Sequence, residues 1–123
     1  MRVFIVDDSA MLRDRLVTML SEVSEVQLIG QAADPTEAMA AIGTLKPDAV
    51  VLDIQMPGGS GITVLQHIKK KNDPAPVVMM LTNFPYRQYR KRCLEAGADY
   101  FLDKSTEFDR VREILQGLVQ ESR

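Results

Sequence analysis

Five short apolar runs recur along the chain, at Val3 to Val6, Val26 to Ile29, Ala49 to Leu52, Val77 to Leu81 and Tyr100 to Leu102, and each is followed by a segment of helical spacing. Runs of this length read as strands, and their regular alternation with longer periodic segments gives strand then helix, five times over. The helical stripes are Leu12, Leu16, Leu20 and Val23; Ala38, Ala41, Ile42 and Leu45; Val64, Leu65 and Ile68; and Phe108, Val111, Leu115 and Leu118. The third and fourth runs are continuously apolar, so both of their faces must be covered, as in a parallel sheet between two helix layers. The expected class is therefore α/β, a doubly wound five-stranded parallel sheet with helices on both faces. Local punctuation agrees with it. Asp34, Pro35 and Glu37 read as an N-cap, a first helical proline and a reciprocal acid. Lys46-Pro47 stops that helix, Gly97 offers a left-handed cap to the fourth, and Asp73-Pro74-Ala75-Pro76 breaks the chain before the fourth strand.

The length, 123 residues with 46% hydrophobic content, fits one domain spanning 1–123, with the tail Gln120 to Arg123 ending just after the last helix and no output domain within the sequence. Fifteen basic and seventeen acidic residues leave a net charge of −2, which gives no general attraction to a phosphate backbone, so direct nucleic-acid binding is not expected. The single cysteine, Cys93, has no partner thiol in the chain, which fits a reducing compartment and a cytoplasmic location. The first apolar run is too short for a signal-peptide core or a membrane span, and no membrane association is expected.

Chemistry gathers where the strands end. Asp7 and Asp8 close the first run, Asp53 closes the third, Thr82 the fourth, and Lys104 follows the fifth. In open parallel sheets ligands bind outside the carboxyl ends of the strands, so these groups share one rim. Like charges gathered there repel unless a proton is retained or a cation neutralises them, and oxygen donors suit a hard divalent ion. Each residue alone has a plainer reading: Asp7 and Asp8 as caps of helix one, Asp53 in a turn, Thr82 as a cap, Lys104 as a solvated charge. Their joint placement at four strand ends is what favours a site.

From Met1 to about Gln120 the chain resembles the receiver domain of two-component response regulators. The residues that carry the resemblance are the acidic pair Asp7-Asp8, the Asp53-Ile54-Gln55-Met56-Pro57 segment, the glycine-rich Gly58-Gly59-Ser60-Gly61, Thr82, and Lys104 with Phe101 three positions before it. The resemblance implies a flavodoxin-like (βα)5 fold with strand order 2-1-3-4-5. It implies that Asp53 accepts a phosphoryl group from phosphohistidine with Mg²⁺ as cofactor. Asp8 and Asp53 would ligate the ion directly, Asp7 largely through water, and the main-chain carbonyl of Gln55 would supply a further oxygen. Lys104 and Thr82 would contact the phosphoryl oxygens, and Phe101 would turn inward as the switch aromatic. The implied partners are a sensor histidine kinase or a histidine phosphotransfer protein, and a downstream protein or output domain. A phospho-dependent homodimer through helix four, strand five and helix five is also implied. A protein of this kind is a phosphoacceptor signalling domain, an enzyme only toward its own phosphorylation and slow dephosphorylation. It could be a free-standing receiver or the receiver part of a longer transcriptional regulator.

Some positions depart from the family pattern. Asn83 follows the hydroxyl where a small residue is common and would narrow access for small phosphodonors or bond the phosphoryl group. Gln55 and Phe84 flank the path of the hydrolytic water and offer it little help, so slow autodephosphorylation is expected. Ser105-Thr106 stands where many members have proline, so the usual cis bond is absent or replaced and either hydroxyl can cap the last helix. Elsewhere His67 and the run Lys69-Lys70-Lys71 read as solvated, and Cys93, Met79 and Met80 as packing. Tyr86, Arg87, Tyr89 and Arg90 lie in a stretch of two tyrosines and four cations that exceeds what solubility needs, and read as an interaction surface. The alternatives are a Mg²⁺-dependent phosphatase of haloacid dehalogenase type with an aspartyl-phosphate intermediate, and a flavodoxin-type electron carrier. Against them stand the adjacent placement of Asp7 and Asp8, where the former needs Asp-x-Asp, and acids where an anionic flavin would bind.

Overall fold

The structure is a computed structural model and describes residues 1–122. Five strands, β1 (Arg2–Val6), β2 (Gln27–Ala32), β3 (Ala49–Leu52), β4 (Val77–Thr82) and β5 (Tyr100–Asp103), form one parallel sheet in the order β2-β1-β3-β4-β5. The helices are α1 (Ala10–Ser21), α2 (Pro35–Leu45), α3 (Gly61–Lys71), α4 (Arg87–Glu95) and α5 (Arg110–Glu121). The expected class and strand order are thus both present. A small antiparallel hairpin, Gln55–Met56 with Gly59–Ser60, leads from β3 into α3.

Strand periodicity sorts the core into two layers. Phe4, Val6, Val50, Leu52, Val78 and Met80 face Ala38, Ile42, Val64, Leu65, Ile68 and Cys93, so α2, α3 and α4 cover one side. Val3, Ile5, Ala49, Val51, Met79 and Leu81 face Leu16, Leu20, Val111 and Leu115, so α1 and α5 cover the other. Every residue of β3 is buried, which accounts for the unbroken apolarity of that run. β2, an edge strand, is only partly covered. Its register with β1 slips between Val3 and Phe4, and a Cβ on Gly30 would come within 2.9 Å of the Phe4 ring. Glycine there lets the edge strand cross that ring.

The helix ends follow the sequence closely. Asp34 caps α2 by accepting from the Glu37 amide at 2.9 Å, with Pro35 first in the helix. Lys46 closes α2 in the left-handed region. After α4, Gly97 takes φ +101°, its N–H donating to Leu94 O while the Ala98 N–H donates to Cys93 O. The entry to α5 differs from expectation. Helix α5 begins at Arg110, so Phe108 lies in the preceding turn and neither Ser105 nor Thr106 caps it. Side chains satisfy that turn instead: Asp103 Oδ1 accepts from the Ser105 amide and Glu107 Oε1 from the Asp103 amide. The one cis peptide among the described residues joins Asp73 and Pro74, not Lys104 and Ser105.

A carboxylate cluster at the sheet edge

Main-chain pairing carries the polar residues just past the strand ends. The Asp7 amide donates to Ala32 O, the Asp53 amide to Val6 O, and the Lys104 amide to Thr82 O. Each side chain is therefore indexed to the sheet before any side-chain contact forms. Asp7, Asp53 and Thr82 are all buried, at 2%, 6% and 0% exposure, whereas Asp8 is exposed. One carboxylate oxygen from each of Asp7, Asp8 and Asp53 lies within 4.8 Å of the others, so the chain brings all three acids together.

Lys104 lies across this cluster, its Nζ 2.7 Å from Asp7 Oδ2 and 3.3 Å from Asp53 Oδ2. The expected pairing with Asp53 is present, but the shorter contact is to Asp7. The remaining oxygen of each buried acid accepts a main-chain N–H, from Ser9 at Asp7 and from Ile54 at Asp53. Burial nevertheless pushes Asp53 up to about 6, with the nearby Asp7 charge adding to the rise, while the Lys104 ammonium and the Ile54 amide work against it. A carboxylate in that position gains from added positive charge. Hard, clustered oxygens suit a small divalent cation of the Mg²⁺ kind, and the Lys104 ammonium already bridges two of the acids.

Thr82 Oγ1 accepts the Phe84 amide at 2.9 Å, which leaves the hydroxyl proton to donate elsewhere. Phe101 is already inside, among the α2–α4 side core, with the Arg90 guanidinium 5.8 Å from its ring centre. Asn83 stands exposed at the rim. Of the candidate interaction residues, Tyr86, Arg87 and Arg90 are exposed, whereas Tyr89 is half-buried with its hydroxyl 3.4 Å from Gln55 Nε2.

Two supporting residues went unread in the sequence. Arg13 on α1 donates from Nη1 to Asp7 O and from Nε to Gln31 Oε1, clamping the acidic turn to the end of β2. A cation one turn after the Ser9 cap was the available signal. Gly61 packs against the phosphoacceptor candidate so closely that a Cβ would lie 1.7 Å from Asp53 O. Its run of glycines suggested turn freedom, whereas Gly61 is required by proximity. Lys69 also departs from its solvated reading, since its Nζ bonds Pro76 O and pairs with Asp99, both at 2.8 Å.

Fold and site together define a flavodoxin-like α/β domain with a cluster of three carboxylates at its switch point. The chain belongs to the response regulator receiver domain family, whose model matches residues 3–116. It is 36% identical over 115 residues to protein-glutamate methylesterase/protein-glutamine glutaminase 1 of Methanospirillum hungatei, covering 92% of this chain and 33% of that protein. The response regulator domain of Thermotoga maritima CheB superposes with a TM-score of 0.84 at 30% identity, covering 98% of this chain and 94% of that one. A chain of the CheX-CheY-BeF3-Mg+2 complex from Borrelia burgdorferi gives 0.80 at 31% identity, covering 93% and 88%. The chain spans from a third to three fifths of the first curated relatives' length, 33% and 60%. It is thus a receiver of two-component signalling, a family of signalling domains, and the haloacid dehalogenase alternative finds no support. Among the described residues no helix is long and apolar enough to cross a membrane.

Proposed function

We propose that the chain, as a single receiver domain, accepts a phosphoryl group from a phosphohistidine onto Asp53 and thereby alters the surface it offers to a partner. The observation that carries this reading is the Lys104 ammonium bridging Asp7 and Asp53 within a cluster of three carboxylates. In the transfer an Asp53 carboxylate oxygen forms the O–P bond while the P–N bond to the donor imidazole breaks, its electron pair returning to nitrogen. Asp8 and Asp53, with Asp7 through water and the Gln55 main-chain carbonyl, would hold Mg²⁺. When bound, that ion supplies the positive charge that lets two anionic reactants approach.

The chain's own residues do the rest. Lys104 leaves the Asp53 oxygen that becomes bonded to phosphorus and pairs with a phosphoryl oxygen instead. Thr82 donates its hydroxyl proton to another, drawing the β4–α4 loop toward the site. Phe101, beneath Arg90, reports that loop movement to the face built from α4, β5 and α5. There Tyr86, Arg87, Tyr89 and Arg90 would meet a downstream protein, an output domain or a second copy of the chain. The donor would be a sensor histidine kinase or a histidine phosphotransfer protein in the cytoplasm. The matched segment makes up a third of a methylesterase and 60% of a transcriptional regulatory protein, which fits one receiver serving different effectors. The T. maritima and B. burgdorferi likenesses give the same direction, the latter from a complex that contains BeF3 and Mg²⁺.

Beryllofluoride with Mg²⁺, a stable mimic of the phosphoryl group, provides the test. Amide resonances of Asp53, Thr82, Lys104 and α4 should shift together at saturation, and Asp53→Asn should abolish the response. Shifts confined to Asp8, or unchanged in Asp53→Asn, would contradict the assignment.

A further inference from the structure

Helix α4 carries Arg87, Arg90, Lys91 and Arg92, and among the described residues none of them is in an ion pair. By contrast Lys69, Arg110 and Arg112 are each paired with a carboxylate. The buried Cys93 and half-buried Tyr89 fix the inward edge of α4, so the four cations fan outward from it. Arg90 turns toward Phe101 of β5. Arg92 instead lines a cleft of about 440 Å³ between α4 and the start of α3, together with Gln55, Met56, Ile62, Thr63 and Tyr89.

The cleft combines buried apolar side chains, Met56 and Ile62, with three hydroxyls, those of Ser60, Thr63 and Tyr89, an amide and an unpaired guanidinium at its walls. That lining matches a carboxylate on a short aliphatic stem: methylenes against the thioether and isoleucine, oxygens on Arg92. A phosphodiester backbone would instead call for a track of cations along a groove, and within the cleft itself Arg92 is the one cation. The rest of the molecule is net acidic, since the chain totals −2 with these four cations included, so charge complementarity favours α4 for an acidic partner. The geometry points to this cleft as the docking site for an acidic segment of a partner protein, with one glutamate or aspartate on Arg92 and its neighbours over Arg87 and Lys91.

The cleft wall also reaches the phosphoacceptor rim from two directions. Gln55, two residues beyond Asp53, donates from Nε2 to the Tyr89 hydroxyl at 3.4 Å. Tyr89 packs on Tyr86 and Tyr86 on Phe84, with centroids 5.7 and 6.0 Å apart, and the Phe84 amide donates to Thr82. A shift at Asp53 or Thr82 therefore rearranges the cleft, and by reciprocity occupancy of the cleft changes the response of the rim. This coupling rests on the phosphoacceptor reading of Asp53; the binding itself does not.

The test uses the ¹⁵N-labelled full chain and three probes: a short synthetic peptide alternating glutamate and leucine, its glutamine-leucine counterpart, and a DNA duplex. The acidic peptide should shift the amides of Gln55, Thr63, Tyr89 and Arg92. Arg92→Gln should weaken it about tenfold, the loss of a charge-assisted contact. Lys71→Gln, at the far end of α3, should leave it unchanged. No shift at millimolar peptide, an equal response to the glutamine peptide, tighter binding of DNA at the same residues, or unaltered affinity in Arg92→Gln would overturn the proposal. So would concentration-dependent shifts at the cleft in the chain alone, which would make a second copy the occupant. With beryllofluoride and Mg²⁺ present, peptide affinity should change by about fivefold or more. If the rim itself ignores beryllofluoride, the phosphoacceptor reading fails while the binding result stands; if the rim responds and affinity stays constant, the coupling is refuted.

Discussion

Asp53 is held where ionisation is opposed, and the cost shows in stability as well as in reactivity. Its folded-state value near 6 lies above that of an unfolded aspartate, so between the two the folded chain binds more protons. The contribution of Asp53 to stability is therefore fully present below about pH 4 and is lost as pH rises through about 6, by about 2–3 kcal/mol. Asp53→Asn removes that loss. In metal-free buffer the variant should be more stable than the parent by about 1–3 kcal/mol at pH 7.5, with the difference shrinking toward pH 4 in denaturant titrations. A constant difference across that range would contradict a raised Asp53. Gly61 makes the opposite prediction. Its missing side chain is all that separates α3 from the Asp53 carbonyl, so Gly61→Ala should cost more than about 2 kcal/mol and slow phosphoryl uptake together. Stability and uptake rate measured on the same preparation check both. At this scale the acids, Thr82 and Lys104 could be read from the sequence because each terminates or follows an apolar run. That Lys104 sits closer to Asp7 than to Asp53 could not, since both partners are acids remote in the chain and only side-chain placement decides.

The elements were legible where local chemistry and tertiary packing agree. Asp34 caps α2 as its sequence context dictates, and Asp34→Ala should lower stability by about 1 kcal/mol without altering phosphorylation, measurable by thermal melting alongside an uptake assay. Where a side chain serves the core without its backbone being helical, the pattern misleads. Phe108 packs beneath the Arg15 guanidinium at 4.3 Å and joins the α1–α5 side core, yet lies in a turn held by Asp103 and Glu107. Val23 is likewise buried beyond the end of α1. Periodicity records which residues face inward and not where helical hydrogen bonding stops. Lys69 was misread for a related reason, because its partners Pro76 and Asp99 lie on other elements and no local spacing announces them. Gln55 and Phe84, the first tied to Tyr89 and the second half-buried, offer no acid or base to a hydrolytic water. The phosphoryl group on Asp53 should consequently persist for minutes or longer without a partner; decay within seconds, followed by phosphoprotein mass over time, would contradict this.

Across the whole molecule, the sheet is the device that turns four separate strand ends into one site. Parallel pairing puts Asp7, Asp53 and Lys104 each one residue past a paired strand, and the order β2-β1-β3-β4-β5 sets β1 and β3 side by side at the centre. Alternating side chains then seal both faces with helices, which leaves the carboxyl edge as the place where charge can gather. Strand order was reached in the sequence by likeness to a family, whereas the two-layer division follows from apolar pattern alone. The central claim is that this edge makes Asp53 the phosphoryl acceptor. Intact-mass measurement after exposure to a small phosphodonor with Mg²⁺ tests it most directly: the parent chain should gain the mass of one phosphoryl group and Asp53→Asn should gain none, whereas an equal gain in both would contradict the account.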